Sequence, residues 1–171
     1  DIAYKHQESR FVDFDREKLV YHMQSTEGPS LAVGDVNGDG LEDFYIGGAK
    51  DQSGELYIQR GSSFIKRNQP AFELDKASED QTSLFLDADG DGDLDLYVCS
   101  GSNEFSTSSI ALADRLYLND GNGNFIKSDQ ILPTFNFESS STVRACDVDQ
   151  DGDQDLFVGI RSHPFLYGVP M

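Results

Sequence analysis

Three acidic segments of this chain share one spacing. They read Asp35-Val36-Asn37-Gly38-Asp39-Gly40-Leu41-Glu42-Asp43, Asp87-Ala88-Asp89-Gly90-Asp91-Gly92-Asp93-Leu94-Asp95 and Asp147-Val148-Asp149-Gln150-Asp151-Gly152-Asp153-Gln154-Asp155. Counted from the first Asp, oxygen-bearing side chains stand at positions 1, 3, 5 and 9, and glycine stands at position 6. Carboxylates packed this densely repel one another, each like-charged pair at ~4 Å costing about 1 kcal/mol in water and more near a protein surface. A chain that repeats so costly a pattern needs a hard cation among the oxygens. Calcium fits best, because it accepts six to eight oxygen ligands in flexible geometry.

Each loop then has an expected ligand set. Side-chain oxygens come from Asp35, Asn37, Asp39 and Asp43 in loop 1, from Asp87, Asp89, Asp91 and Asp95 in loop 2, and from Asp147, Asp149, Asp151 and Asp155 in loop 3. The carbonyls of Leu41, Asp93 and Asp153 add a ligand at position 7, aimed inward by a turn that the glycine before it permits. About three Ca²⁺ sites are expected. Loop 1 has Asn37 where the others have Asp, so it offers one negative charge fewer and is expected to bind most weakly.

An EF-hand opens with the same residues, but it needs a bidentate Glu at position 12 and a helix on either side. Position 12 is Ile46, Val98 or Val158. The flanking tracts, such as Leu84-Phe85-Leu86 before loop 2 and Asp95-Leu96-Tyr97-Val98 after it, are short, β-branched or aromatic, and read as strands. Each loop therefore joins two strands. Plain polar hairpin turns would also contain Asp-Gly, yet three copies with ligands in phase favour the ion.

The loops start at residues 35, 87 and 147, a spacing that signals a repeat array. Leu56-Tyr57-Ile58-Gln59 echoes Leu116-Tyr117-Leu118-Asn119, and Gly61-Ser62-Ser63-Phe64-Ile65-Lys66 echoes Gly121-Asn122-Gly123-Asn124-Phe125-Ile126-Lys127. Asn119-Asp120-Gly121-Asn122-Gly123 is a hairpin signal. The fold class expected is all-β, with propeller blades of four antiparallel strands: an edge segment over 1–29, blade 1 over 30–80, blade 2 over 81–141 and a partial blade 3 over 142–171. His163-Pro164-Phe165-Leu166-Tyr167 reads either as a third strand of that last blade or as the connection toward one. Ser100 to Ala113 is a Ser-rich insertion, read either as a solvated loop or as a binding loop. Phe11-Val12-Asp13-Phe14 suggests an outer strand or edge cover, and residues 1–10 suggest a disordered tail.

These loops and blade motifs resemble the FG-GAP/VCBS repeat family, known from the integrin α-subunit head and similar to cartilage-acidic-protein-like and bacterial surface proteins. Phe44-Tyr45-Ile46-Gly47-Gly48-Ala49 resembles the Gly-Ala half of the FG-GAP signature, and Leu116 to Phe125 resembles the closing hairpin of a VCBS repeat. Cys99, and Gly159-Ile160-Arg161, replace that Gly-Gly-Ala in the later repeats. The resemblance implies a stretch of a seven-bladed propeller, cut from a longer chain or covering its open blade edges by self-association. It also implies an extracellular or cell-surface module, calcium-stabilised, that binds a protein or glycan.

Composition narrows the partners. With 13 Lys and Arg against 31 Asp and Glu, the net charge is −18, which opposes nucleic acid and anionic membrane alike. No apolar run is long enough to span a bilayer. Cys99 and Cys146 are expected as two buried free thiols. His6, His22 and His163 lie in no catalytic motif, and neither a nucleophile elbow nor a P-loop occurs. The expectation is a non-enzymatic module. A propeller piece of a secreted polysaccharide-degrading enzyme is the alternative, and an intracellular calcium sensor the weaker third.

Overall fold

The computed structural model describes residues 2–130, 132 and 138–165. Strands β1 (Leu31–Gly34), β2 (Asp43–Ile46), β3 (Glu55–Arg60) and β4 (Ser63–Arg67) form an antiparallel meander in chain order. The same order recurs in β5 (Asp80–Leu86), β6 (Asp95–Ser100), β7 (Arg115–Asn119) and β8 (Phe125–Lys127). A hairpin of β9 (Ser139–Cys146) and β10 (Asp155–Ser162) follows. The first strands lie in succession, with β5 packed against both β1 and β9. The described chain is thus two four-stranded propeller blades and the opening hairpin of a third.

Side-chain alternation sets how the sheets stack. Every residue of β6 is buried, because its sheet is covered on both faces. One core lies between the first two sheets and contains Tyr45, Leu56, Ile58, Leu96, Val98, Tyr117 and Phe125. A second, with Leu86, Tyr97, Cys99, Leu116 and Val143, lies between the second and third. Each such side chain contributes about 1.5–3 kcal/mol through burial. The outer face of the first sheet instead leaves Leu31 and Val33 more than half exposed.

Glycine marks where the sheets touch. A Cβ on Gly47 would collide with Ser30 Oγ and lie 2.8 Å from Asp80 Cβ, and Gly47 N donates to Ser30 O, just before β1. At the next junction Gly101 N donates to Glu79 O, just before β5, and a Cβ there would lie 2.7 Å from Ser140 O. Strand β6 runs two residues further than β2, with a register shift in β5 between Asp80 and Thr82. The close-packed glycine accordingly falls at position 15 of the second repeat rather than 13, and Cys99 stands where a Gly was sought.

Several expectations give way. Phe11–Phe14 is not a strand: Asp13–Arg16 forms a one-turn helix, α1. The segment before it is not a free tail over its described part, because Tyr4 Oη donates to Gly47 O at 2.6 Å and Gln7 N to Gln52 Oε1 at 2.9 Å. The Ser100–Ala113 insertion is not simply solvated. Its Phe105, Ala111 and Leu112 build a small core of their own, and Arg16 Nη1 donates to the carbonyl of Phe105 at 3.1 Å. The two thiols are both free, but only Cys99 is buried; Cys146 is exposed. Of the two readings of residues 163–167, the strand is not seen over His163 to Phe165, which lies past the end of β10; Leu166 and Tyr167 lie outside the described residues.

A short helix, α2 (Pro70–Leu74), joins the first two blades. Proline at its start supplies a preset φ and needs no N–H partner there. Its Phe72 plugs the first core, with ring centroids 5.2 Å from Tyr45 and 4.9 Å from Tyr117.

Candidate metal centre

Each acidic segment is the turn of a hairpin, and the three hairpins share one register. Gly34 pairs with Asp43, Leu86 with Asp95 and Cys146 with Asp155. The residue before position 1 thus always faces position 9. The loops also fold around their own carboxylates alike. Position 1 accepts from the N–H of position 6, Asp35 from Gly40 at 2.7 Å, Asp87 from Gly92 at 3.1 Å and Asp147 from Gly152 at 3.2 Å. Position 5 accepts from position 7: Asp39 from Leu41, Asp91 from Asp93 and Asp151 from Asp153.

The backbone explains the glycines and adds one position. Gly40, Gly92 and Gly152 at position 6 have φ of 83°, 93° and 101°. Position 4 is left-handed too, and there Gly38 and Gly90 are followed in loop 3 by Gln150, at φ 66°. A side chain in that region costs about 1–2 kcal/mol, so loop 3 is the strained copy.

Position 9 has a role the sequence reading did not assign. Its carboxylate ties the loop to the sheet. Asp43 Oδ2 accepts from Val36 N at 3.2 Å and Oδ1 from Gln59 N at 2.7 Å. Asp95 repeats this with Ala88 N at 2.9 Å and Asn119 N at 2.8 Å. Asp155 accepts from Val148 N at 2.9 Å, with no third strand beside β10 among the described residues. Asp43 and Asp95 are fully buried, whereas Asp155 is exposed. Gln59 and Asn119 end the echoed Leu-Tyr tetrapeptides. The echo therefore marked the strand but not the bond that its last residue makes.

The loops differ in how well they gather oxygens. Carboxylate oxygens of Asp87, Asp89 and Asp95 come within 4.8 Å of one another, as do those of Asp147, Asp149 and Asp151. No such acidic triplet forms in loop 1 among the described residues. There Asn37 Nδ2 donates to Asp43 Oδ2 at 2.8 Å, and Asp39 is held by Arg60 Nη1 at 2.8 Å. Asp91 and Asp93 stand outside the loop 2 triplet, and Asp153 and Asp155 outside that of loop 3.

Electrostatic crowding is greatest in loop 2. Burial, then the charges of Asp91 and Asp95, push Asp93 up to about 6, and its Oδ1 is buried without a hydrogen-bond partner. Burial also raises Asp95, against the N–H bonds from Asn119 and Ala88. A cation at this place would relieve both effects, and the donor set, all oxygen, suits a hard one.

The FG-GAP-like repeat profile matches residues 35–98 and again 87–158. The chain belongs to the FG-GAP-like repeat family. Each match runs from position 1 of one acidic loop to position 12 of the next, so loop 2 belongs to both. An FG-GAP-like unit of this chain thus spans two sheets and contains the junction between them. No curated protein matches the chain.

Proposed function

We propose that this chain is a calcium-stabilised β-propeller module that acts outside the cell by binding a protein or glycan, and that it catalyses no reaction. The observation that carries this reading is the pair of carboxylate triplets, Asp87, Asp89 and Asp95 and Asp147, Asp149 and Asp151, on hairpins of identical register. The candidate ligands are the fifteen residues at positions 1, 3, 5, 7 and 9 of the three loops. A bound Ca²⁺ supplies positive charge that cancels the repulsion among them and holds the strand entering each loop to the strand leaving it. Loops of this kind suit the millimolar calcium outside cells, where modules bind at about 10⁻⁴–10⁻³ M. Among the described residues no helix is long and apolar enough to cross a membrane, and the charge of −18 repels polyanions. The exposed Leu31 and Val33 offer an apolar face for self-association.

Thermal denaturation in calcium and in EDTA tests this. Each occupied site adds about 2.7 kcal/mol at a hundredfold excess of ion over Kd. Asp87→Ala and Asp147→Ala should lose part of the calcium-dependent rise in Tm, whereas Asp129→Ala, outside the loops, should keep all of it. A Tm indifferent to calcium in the parent chain would refute the reading.

A further inference from the structure

The segment before β1 is fastened to all three sheets at the ends remote from the acidic turns. Gln7 N donates to Gln52 Oε1 in the turn after β2, and Ser9 Oγ donates to Glu104 in the insertion after β6. Further along, Glu27 pairs with Arg161 near the end of β10. One short stretch of this segment contains a titratable ring. Tyr4 Oη donates to Gly47 O at 2.6 Å. His6 Nδ1 lies 3.1 Å from that same Tyr4 oxygen, and His6 Nε2 lies 3.0 Å from Glu8 Oε1. Glu8 Oε1 also accepts from Gly28 N at 3.1 Å, just before β1. Contacts thus run from Gly47 through Tyr4, His6 and Glu8 to Gly28.

Hydrogen counting decides which form of His6 makes both contacts. A phenol has one hydrogen to donate, and Tyr4 gives its own to Gly47 O. The hydrogen between Tyr4 Oη and His6 Nδ1 therefore belongs to the ring. The contact with the Glu8 carboxylate needs a hydrogen on Nε2 as well. Only the doubly protonated imidazole donates from both nitrogens. With one proton gone, either Nδ1 faces Tyr4 Oη or Nε2 faces Glu8 Oε1 as two acceptors with no hydrogen between them. The His6 side chain is 14 % exposed and that of Glu8 26 %, so water does not freely replace the lost partner.

We propose that His6 is a pH-sensitive latch: its protonation fastens residues 4–9 across the β2–β3 turn, and loss of the proton releases them. Docking then weakens as pH rises through the range, from about 5 to 8, in which histidines lose their charge. Charged groups face this stretch from both blades. Glu55 and Asp80 act on Tyr4 together with Glu8. Glu104, Glu8 and Asp13 act on Glu79. Lys50, in the β2–β3 turn, lies 2.6 Å from Asp51. Burial pushes Glu79 up to about 8, so its proton must be told apart from that of His6. His22, 2.7 Å from Glu27, is a second histidine of the segment and must be told apart too. The latch shares no residue with the acidic turns and does not depend on the ion proposed there.

Amide hydrogen exchange of the full chain across that range, from about pH 5 to about pH 8 and corrected for the intrinsic rate at each pH, tests it. Protection of the Gln7 and Gly28 amides should fall about tenfold or more, the worth of a hydrogen bond to a charged group, while the amides of β6 stay protected. The fall should persist in His22→Gln and in Glu79→Gln. It should vanish in His6→Gln, where protection is low at every pH. A fall that survives in His6→Gln, or is lost in His22→Gln or Glu79→Gln, overturns the proposal, as does a parent chain whose protection ignores pH. The ¹⁵N shifts of the His6 ring in the parent chain decide the matter if His6→Gln does not fold. Two protonated nitrogens while the segment is docked support the latch, and a neutral ring with Gln7 still protected overturns it.

Discussion

Tyr45 donates its hydroxyl hydrogen bond to Asp80 Oδ2 at 2.6 Å, across the junction of the first two blades. Gly48 N donates to the same oxygen at 2.8 Å, and the guanidinium of Arg115 pairs with Oδ1. One buried carboxylate thus joins β2, the turn after it and β7. Asp80→Ala would leave Arg115 buried and unpaired, at a cost of about 3–5 kcal/mol. Tyr45→Phe removes only one bond to a charged acceptor, about 1.5–3 kcal/mol. Urea denaturation should rank Asp80→Ala well below Tyr45→Phe, and equal midpoints would show that the junction rests on packing alone.

Position 9 and position 3 of loop 2 should behave oppositely without calcium. Asp95→Ala strands the N–H groups of Ala88 and Asn119, each about 1–3 kcal/mol, so it should lower Tm in EDTA as well as in calcium. Asp89→Ala removes a repelling charge and should leave Tm in EDTA unchanged or higher while reducing the calcium-dependent rise. If Asp95→Ala matched the parent in EDTA, its carboxylate would be a ligand and nothing more.

Loop 1 is weakened twice, by Asn37 and by the Arg60–Asp39 pair. In a chain that also carries Asp87→Ala and Asp147→Ala, Arg60→Ala should tighten calcium binding by up to about fivefold, since an exposed ion pair is worth about 0.2–1 kcal/mol. Calorimetry on that background reads loop 1 without loops 2 and 3. Weaker binding after Arg60→Ala would show that Arg60 orders the loop rather than competing with the ion.

The two cysteines should separate by reactivity. Burial, and then the Asp114 charge, raise the Cys99 thiol far above its ordinary range. A raised pKa keeps the group protonated as pH climbs, so Cys99 should resist iodoacetamide at pH 9 in the folded protein. Exposed Cys146 should be alkylated. Mass spectrometry should find one label per folded chain and two in urea. Two labels without denaturant would mean that the second sheet opens.

Much of the fold was legible because repetition amplified it. The acidic loops, the strands beside them and the echoed Leu-Tyr tetrapeptides gave the meander twice over. Single-copy features were hidden. Helices of four and five residues, α1 and α2, are too short to display a helical period. The docking of Tyr4 onto Gly47 depends on partners 43 residues apart. The extra length of β6 placed a glycine two residues beyond where pattern matching sought it. Within the site, the acids at positions 1, 3, 5 and 9 could be read from spacing. Arg60 and Gln59 could not, because they arrive from another strand.

The double grip of Asp43 and Asp95 has a kinetic consequence. Both turns are stitched to their own blades by protein groups alone, and in the second, where Asp87, Asp89 and Asp95 are already gathered, an arriving ion meets oxygens in place and has little chain to order. Association with that second turn should run close to the rate of water exchange on the metal. Changes in residence time among variants should then come almost wholly from how fast the ion leaves.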